Sequence, residues 1–509
     1  MKRLFVILTS IVLLFSACRK ENEQQLPNIM VFLVDDMGLM DTSVPMLVDE
    51  NGYPQSYPLN DWYRTPNMER LAEQGIRFSN FYSHSLCSPS RISILTGKNS
   101  ARHRNTRALH PFTKNVGPHT PEDWNWEGLK KGDMTLATVL KDFGYTTIHV
   151  GKGHLGPVGY EGAEPLNLGF EVNVAGANVG APRSYYGETR YGIDAKDFSP
   201  HARPVPGLEK YHGTKTFLTE ALTLEAILEI EKALVKEKPF FLYMSHYAVH
   251  VPLNPDPRFT DNYVGSDFSP AARAYATLIE GIDKSLGDLM DHLLENGIAE
   301  NTLIFFLGDN GGDAPLGGHD DIGSSAPLRG RKGTRWEGGV RVPFIAAWVK
   351  PDPKNKWQQE LSIVQGGICQ EIGACFDLLP TITGLIDVPI PPDEVIDGQN
   401  LIIILAGEPD PQHQNEFLSH FPNERLVGQG NSYQTSYRRD NWKVICHFLE
   451  DDNWFELYDL ESDPSESRNL ADSNPEKLNA MIKMMTERLD SCAALYPVDE
   501  QGSEMRPMK

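Results

Sequence analysis

Positive charge is scarce in this chain. Its 509 residues carry 47 lysines and arginines against 69 aspartates and glutamates, a net charge of −22. That balance argues against nucleic acid bound over a basic face. Cysteine is also rare, with six in all: Cys18, Cys87, Cys369, Cys375, Cys446 and Cys492. That is too few for a small disulfide-built scaffold. Cys369 and Cys375 are close in sequence, and both a disulfide and two free buried thiols remain open readings. Low-complexity tracts and a repeat of fixed period are lacking, which excludes a solenoid. No apolar run is long enough to span a bilayer.

The N-terminus reads as a targeting segment. Lys2 and Arg3 precede an apolar stretch from Leu4 to Phe15, and Ser16-Ala17-Cys18 follows. This is the shape of a secretory signal. A cysteine after small residues resembles the lipobox of bacterial lipoproteins, although Phe15 stands where leucine is usual. A plain secretion signal is the alternative. The expectation is a lipoprotein signal peptide over 1–17 that is cleaved, a lipid on Cys18 and a tether over 18–27. The protein would then be secreted across the inner membrane and lipid-anchored in the periplasm or at the cell surface. The nine residues from Arg19 to Pro27 reach roughly 30 Å when extended.

Several apolar runs end in polar residues. Asn28 to Val34 runs into Asp35-Asp36-Met37-Gly38, and Thr146 to Val150 into Gly151-Lys152-Gly153-His154. Phe240 to Met244 leads toward His246 and His250; Leu303 to Leu307 leads into Gly308-Asp309-Asn310-Gly311. Continuously apolar strands predict an α/β fold whose parallel sheet is covered on both faces. Sites in such sheets lie at the carboxyl ends of the strands, so the four polar ends are expected in one crevice. Helices are expected at Pro66 to Gly75, Phe217 to Glu237 and Ala271 to Asn296. After residue 405 the pattern changes to short aromatic strands (Trp442 to Leu449, Trp454 to Leu460) and a helix, Glu476 to Asp490.

The motif that organises these ends is Cys87-Ser88-Pro89-Ser90-Arg91, followed by Leu95-Thr96-Gly97. Pro89 suits the first turn of a helix, placing residue 87 at a helix N-terminus, where exposed N–H groups favour an anion. The chain here resembles the type I, formylglycine-dependent sulfatases of the alkaline phosphatase superfamily, and the resemblance runs from about Asn28 to the C-terminal helix. It implies an alkaline-phosphatase-like sandwich with a large mixed, mostly parallel central sheet, plus a smaller C-terminal α/β subdomain with an antiparallel sheet. The division expected is 28–405 for the catalytic domain and 406–509 for the C-terminal subdomain.

The resemblance also implies roles. Cys87 is oxidised by a formylglycine-generating maturase to 3-oxoalanine, whose hydrate attacks sulfur. Asp35, Asp36, Asp309 and Asn310 are hard oxygen donors that suit Ca²⁺ or Mg²⁺ rather than zinc; by resemblance the ion is a single Ca²⁺, which residue 87 also approaches. Arg91 points toward the same place. Gly151-Lys152-Gly153-His154 resembles the second family signature, with Lys152 on a sulfate oxygen and His154 holding the diol and acting as base. Gly153 departs from the bulky residue common there. His250, in His250-Val251-Pro252, matches the position of a general acid. Lys332, in Arg329-Gly330-Arg331-Lys332-Gly333, matches the lysine beside the leaving oxygen. A histidine with a near-neutral pKa suits such proton transfers.

The partner implied is a sulfated carbohydrate, with 4-O-sulfated galactose or N-acetylgalactosamine the best fit and exo action expected. Arg104, Arg107 and His110 are candidates for lining a sugar subsite, and Tyr185, Tyr186 and Arg190 for covering it. A phosphodiesterase or phosphonate hydrolase of the same superfamily, and a non-catalytic glycan-binding lipoprotein, are the alternatives.

Overall fold

The computed structural model describes residues 25–112, 114, 117–196, 201–316, 325–424, 432–449 and 454–507. Cys18 and the signal segment lie outside the described residues. The centre of the molecule is an eight-stranded sheet. Its strands are β1 (Asn28–Val34), β2 (Ile76–Phe78), β3 (Thr146–Gly151), β4 (Val172–Val174), β5 (Phe240–Ser245), β6 (Thr302–Gly308), β7 (Phe344–Trp348) and β8 (Gly367–Cys369). In space they run β8-β2-β7-β6-β1-β5-β3-β4. Only β7 is antiparallel to its neighbours, so the sheet is mixed but mostly parallel.

Strand β1 shows why the sheet needs two covers. All seven of its residues are buried. Met30, Phe32 and Val34 face one core, shared with α4 (Leu218–Val235) and α5 (Pro270–Glu295). Ile29, Val31 and Leu33 face the other, shared with α2 (Cys87–Thr96), α3 (Leu136–Asp142) and α6 (Leu378–Leu385). The period of two along a strand puts alternate residues on opposite faces, and both faces here are apolar.

The expected helices form, with small shifts at their ends. Helix α1 spans Pro66–Gln74, with Pro66 in its first turn and Gly75 just past its end. The expected start of α5 at Ala271 moves back to Pro270, because Ser269 caps it by accepting from the Ala272 N–H at 3.1 Å.

The C-terminal strands β9 (Glu416–Phe421), β10 (Gln434–Arg439), β11 (Trp442–His447) and β12 (Trp454–Asp459) form an antiparallel meander. Helix α7 (Pro475–Ser491) packs on it through Leu478, Met481, Met485 and Leu489. Among the described residues Cys87, Cys369, Cys375, Cys446 and Cys492 are all free and buried, which resolves the Cys369–Cys375 question in favour of two thiols. No helix among the described residues is long and apolar enough to cross a membrane.

Candidate active site

The parallel strands deliver their polar ends to one place. Asp35 and Asp36 follow β1, Lys152 follows β3, Ser245 ends β5, and Asp309 and Asn310 follow β6. Backbone bonds lock these ends side by side: Lys152 N–H donates to Ser245 O at 2.7 Å, and Asp309 N–H to Val34 O at 3.0 Å. Helix α2 starts at Cys87 itself and closes on Gly97, whose left-handed φ of 67° lets its N–H reach Ser93 O. The thiol therefore stands at a helix N-terminus aimed into the same crevice.

The acidic and basic side chains interlock. Lys152 Nζ is 2.5 Å from Asp35 Oδ2, and Lys332 Nζ is 2.7 Å from the Asp36 carboxylate. Arg91 Nε donates to Asp309 Oδ2 at 2.9 Å, with Nη2 2.8 Å from the same oxygen. Its Nη1 donates to Ser245 Oγ at 2.6 Å and to Lys152 O at 3.0 Å. Arg91 thus sits wholly buried behind the site and holds Asp309 and the Lys152 backbone. Burial pushes the Asp35 carboxyl well up, more than Lys152 pulls it down. Burial also works to raise Asp36, but Lys332, His250 and Lys152 overcome it and hold its carboxyl far below the usual range.

Two buried oxygens in this crevice accept no hydrogen bond from the described residues, Asp35 Oδ1 and Asn310 Oδ1, although Arg91 Nη2 lies 3.8 Å from the former. Asn310 turns its amide NH₂ to Asp36 Oδ1 at 2.9 Å, which leaves its carbonyl oxygen facing the site. Two groups of ligand atoms lie within 4.8 Å of one another: Asp35, Cys87 and Asp309, and Asp36, Cys87 and His250. Orphaned buried oxygens cost several kcal/mol by order of magnitude unless a partner arrives. A carboxylate-rich oxygen set of this kind fits a hard divalent cation. Burial pushes the Cys87 thiol up to about 12 despite Lys152 and Lys332. An unmodified thiol here stays protonated at neutral pH and is a poor nucleophile.

A family model described as Sulfatase matches residues 27–388. The chain belongs to the sulfatase family. A second model, described as N-sulphoglucosamine sulphohydrolase, C-terminal, matches residues 333–494. A sulfatase from Formosa agariphila is 29% identical over 94% of this chain and 91% of its own length. The N-acetylgalactosamine-6-sulfatase of Mus musculus is 32% identical over 74% of this chain; the match spans 66% of that protein, just under two thirds. Ps i-CgsB, solved in complex with k-i-k-neocarrahexaose, superposes with a TM-score of 0.71 at 24% identity, covering 91% of this chain and 93% of that one. That identity speaks to the fold, the alkaline-phosphatase-like sandwich. This sulfatase is therefore a sulfuric ester hydrolase.

The sulfatase's histidines depart from the sequence expectation of a near-neutral pKa. Burial pushes His250 down to about 3, with Lys332 and Lys152 adding to the effect. His154 is pushed well below its ordinary value by burial and then by Lys152. Both rings are neutral at rest. Their tautomers follow from their carbonyl neighbours, which only accept. His154 Nε2–H donates to Leu109 O at 2.8 Å, so its buried, unbonded Nδ1 carries the lone pair. His250 Nδ1–H donates to Val251 O at 2.9 Å, leaving Nε2, 3.6 Å from Asp36 Oδ2, as its lone-pair atom.

Of the two tyrosines expected to cover a sugar, Tyr185 instead holds the backbone that carries His250. Tyr185 is fully buried, its hydroxyl 2.7 Å from the carbonyls of Tyr247 and His250. Tyr186 donates to Pro255 O at 3.1 Å, and Arg190 pairs with Asp194. Arg104 turns away to Ala493 O. His110, by contrast, lies beside the His154 contact at Leu109 and 3.1 Å from His201 Nδ1. Gly153 has a plain steric reason to be glycine: a Cβ there would sit 2.8 Å from Ala177 O, and a Cβ on Gly180 would sit 2.7 Å from the His154 ring. Sequence reasoning missed Ser245, which carries no motif and is marked only by its place at the end of β5.

Proposed function

We propose that this sulfatase hydrolyses sulfate esters of carbohydrates with a formylglycine made from Cys87 and one Ca²⁺ ion. Asp35, Asp36, Asp309 and Asn310 would hold the ion, with residue 87 beside it. The observation that carries the reading is the pair of orphaned oxygens, Asp35 Oδ1 and Asn310 Oδ1, gathered with Cys87 at the N-terminus of α2. When bound, the oxidised side chain supplies the attacking hydroxyl and the ion supplies positive charge to the sulfate.

The chain's own residues do the rest. Lys152 and Lys332 neutralise the sulfate oxygens from opposite carboxylates, in a site that is nearly closed to water. His154 accepts a proton at its bare Nδ1. His250 would carry the proton for the leaving oxygen: the bound anionic ester favours the charged ring, which takes its proton from water and gives it to that oxygen. Arg91 orients Asp309. Residues 28–405 form the catalytic domain and 406–509 the C-terminal subdomain. The substrate is an exo-presented galactose or N-acetylgalactosamine residue sulfated at O4. The mouse relative's name directs attention to O6 as the comparison. The chain is matured by a formylglycine-generating partner, exported, and anchored by lipid on Cys18 in the periplasm or at the cell surface.

The test uses protein coexpressed with a maturase. Release of sulfate from galactose and N-acetylgalactosamine 4- and 6-sulfates is measured, with Cys87→Ala and a chelator as controls. Release that both controls abolish is expected, along with a melting temperature that drops on chelation and returns with calcium. Formylglycine at position 87 with no sulfated sugar cleaved would overturn the carbohydrate assignment. An unchanged melting temperature on chelation would overturn the metal.

A further inference from the structure

A cavity of about 550 Å³ lies between the central sheet and the C-terminal sheet, and the proposed chemistry makes no use of it. Its floor is Ser79 and Asn80, which follow β2, Arg341, which precedes β7, and Arg438 of β10; all four are buried. Gln370, after β8, and Asn441, between β10 and β11, are exposed on its walls. A hairpin pairing Leu47–Val48 with Pro54–Gln55 borders it, and a side chain at Gly52 in that hairpin would meet the Gln370 amide. None of the proposed metal ligands lines this cavity, and neither does Lys332.

The floor holds more positive than negative charge. Glu337 Oε2 lies 3.4 Å from Arg341 Nη1 and 3.5 Å from Arg438 Nη1, and Lys443 Nζ lies 2.9 Å from Glu337 Oε1. Glu466, the second buried carboxyl of this cluster, is pushed up to about 7 by burial. Three cations therefore share one full negative charge and one that is partly lost at neutral pH. Burial lowers the Arg341 guanidinium from its ordinary value, and Arg438 adds to that. Such a surplus is costly to bury unless a counter-charge joins it.

The guanidinium groups are held so as to present themselves to the cavity. Arg341 donates from Nε to Ser79 O at 2.5 Å. Arg438 donates from Nε to Asp440 O at 2.8 Å and from Nη1 to Asn80 Oδ1 at 3.0 Å. The Nη2 edges take no part in these bonds. With Nε and Nη1 of each guanidinium held by protein oxygens, the two Nη2 groups are what an oxyanion would meet, one charged donor from each arginine.

The mouth has the opposite character. Asp49, Glu50 and Glu461 stand there, with Asp49 Oδ1 accepting from the Asn51 and Tyr53 N–H groups and Glu461 Oε2 from Asn441. Carboxylates above a basic floor repel a bare dianion but accept from hydroxyls. The combination describes a ligand with one anionic group on a polyhydroxylated body. The volume lies within the range of small-molecule sites.

We propose that this cavity binds one anionic sugar residue, with its sulfate or carboxylate on Arg341 and Arg438 and its hydroxyls toward Asn80, Gln370 and the acidic mouth. The assignment rests on reading the enzyme as a carbohydrate sulfatase, but it requires no turnover. It gives the C-terminal sheet a part in holding glycan away from the reacting ester.

The test is a calorimetric titration of full-length Cys87→Ala protein with galacturonate, galactose 4-sulfate and sodium sulfate. Galacturonate carries no sulfate ester to be turned over, and the cavity variants Gln370→Glu and Arg438→Gln assign its binding to the cavity rather than to the catalytic centre. It is expected to bind, and to weaken at least tenfold in Gln370→Glu and in Arg438→Gln. Gln370→Glu, an exposed change, guards against misfolding of the buried variant. In the Cys87 background that same variant is expected to keep wild-type hydrolysis of a small aryl sulfate. A wild type without sulfatase turnover would strike the catalytic reading alone and leave the galacturonate result standing. Absence of galacturonate binding, or binding indifferent to Gln370→Glu, overturns the site. Sodium sulfate that binds as tightly as both sugars, with the same sensitivity to Gln370→Glu, overturns the sugar assignment.

Discussion

Single residues in this enzyme are tuned chiefly by burial. His246 shows the effect away from the metal ligands. It lies fully buried between β5 and α5, its Nε2 3.0 Å from Ser285 Oγ and its ring 5.0 Å from Phe32. Burial pushes it down to about 3. The unfolded chain binds a proton near pH 6.5 and the folded chain does not, so the stability tied to this ring is present above pH 6.5. It is lost as pH falls from there toward 3. His246→Phe removes that dependence. Between pH 7 and 5 the variant should lose about 2 kcal/mol less stability than the wild type, measured by urea unfolding at each pH. Equal losses in the two proteins would show that His246 titrates normally. The same logic separates what was legible in sequence at this scale from what was not. Asp35, Asp309 and Lys152 could be placed because each directly follows an apolar run. The pKa values of His154 and His250 could not, since they depend on how completely Leu109, Lys152 and Lys332 close around the rings.

At the level of elements, the site depends on how closely strand ends approach. Gly151 ends β3 with φ of 103°, and a Cβ there would fall 1.8 Å from Ser245 O. The next residue, Lys152, uses that same carbonyl for its backbone bond. Gly151→Ala should therefore push β3 from β5 and displace Lys152 from Asp35. The expected result is a lower melting temperature together with a fall in kcat of tenfold or more, on the order of the loss from misplacing a catalytic group by about 1 Å. A variant with wild-type kcat would show that Lys152 is positioned by its ion pair alone. The long buried strands and capped helices were readable because their patterns repeat over many residues. Strands β2, β4 and β8 were not, being three residues each with no period to detect. The antiparallel β7, Phe-Ile-Ala-Ala-Trp, reads like any other buried strand; its direction is decided by the short path from the Lys332 loop back into the sheet.

Across the whole molecule, the loop that carries Lys332 joins the catalytic centre to the C-terminal sheet. That loop is tied to the site by Lys332 N–H to Gly312 O at 3.0 Å and Gly333 N–H to Ser85 O at 2.8 Å. Its far end is tied to the C-terminal subdomain. Glu337 N–H donates to Glu466 Oε2 at 2.7 Å, Lys443 bridges Glu337 and Glu466 at 2.9 and 2.8 Å, and Arg329 stacks on Trp336 while pairing with Glu456. Lys443 is on β11, far along the chain from any catalytic signature, which is why the sequence offered no hint of its role. Lys443→Met leaves two buried carboxyls without their shared cation, a change that costs on the order of 3–5 kcal/mol. If the loop transmits that loss, the variant also lowers kcat/KM. A double-mutant cycle with Lys332→Met decides the matter. Lys443→Met should cost activity in the wild-type background and almost none once Lys332 is gone, because the route to the sulfate runs through that lysine. Equal losses in both backgrounds would mean that the C-terminal sheet stabilises the enzyme as a whole without setting the position of Lys332.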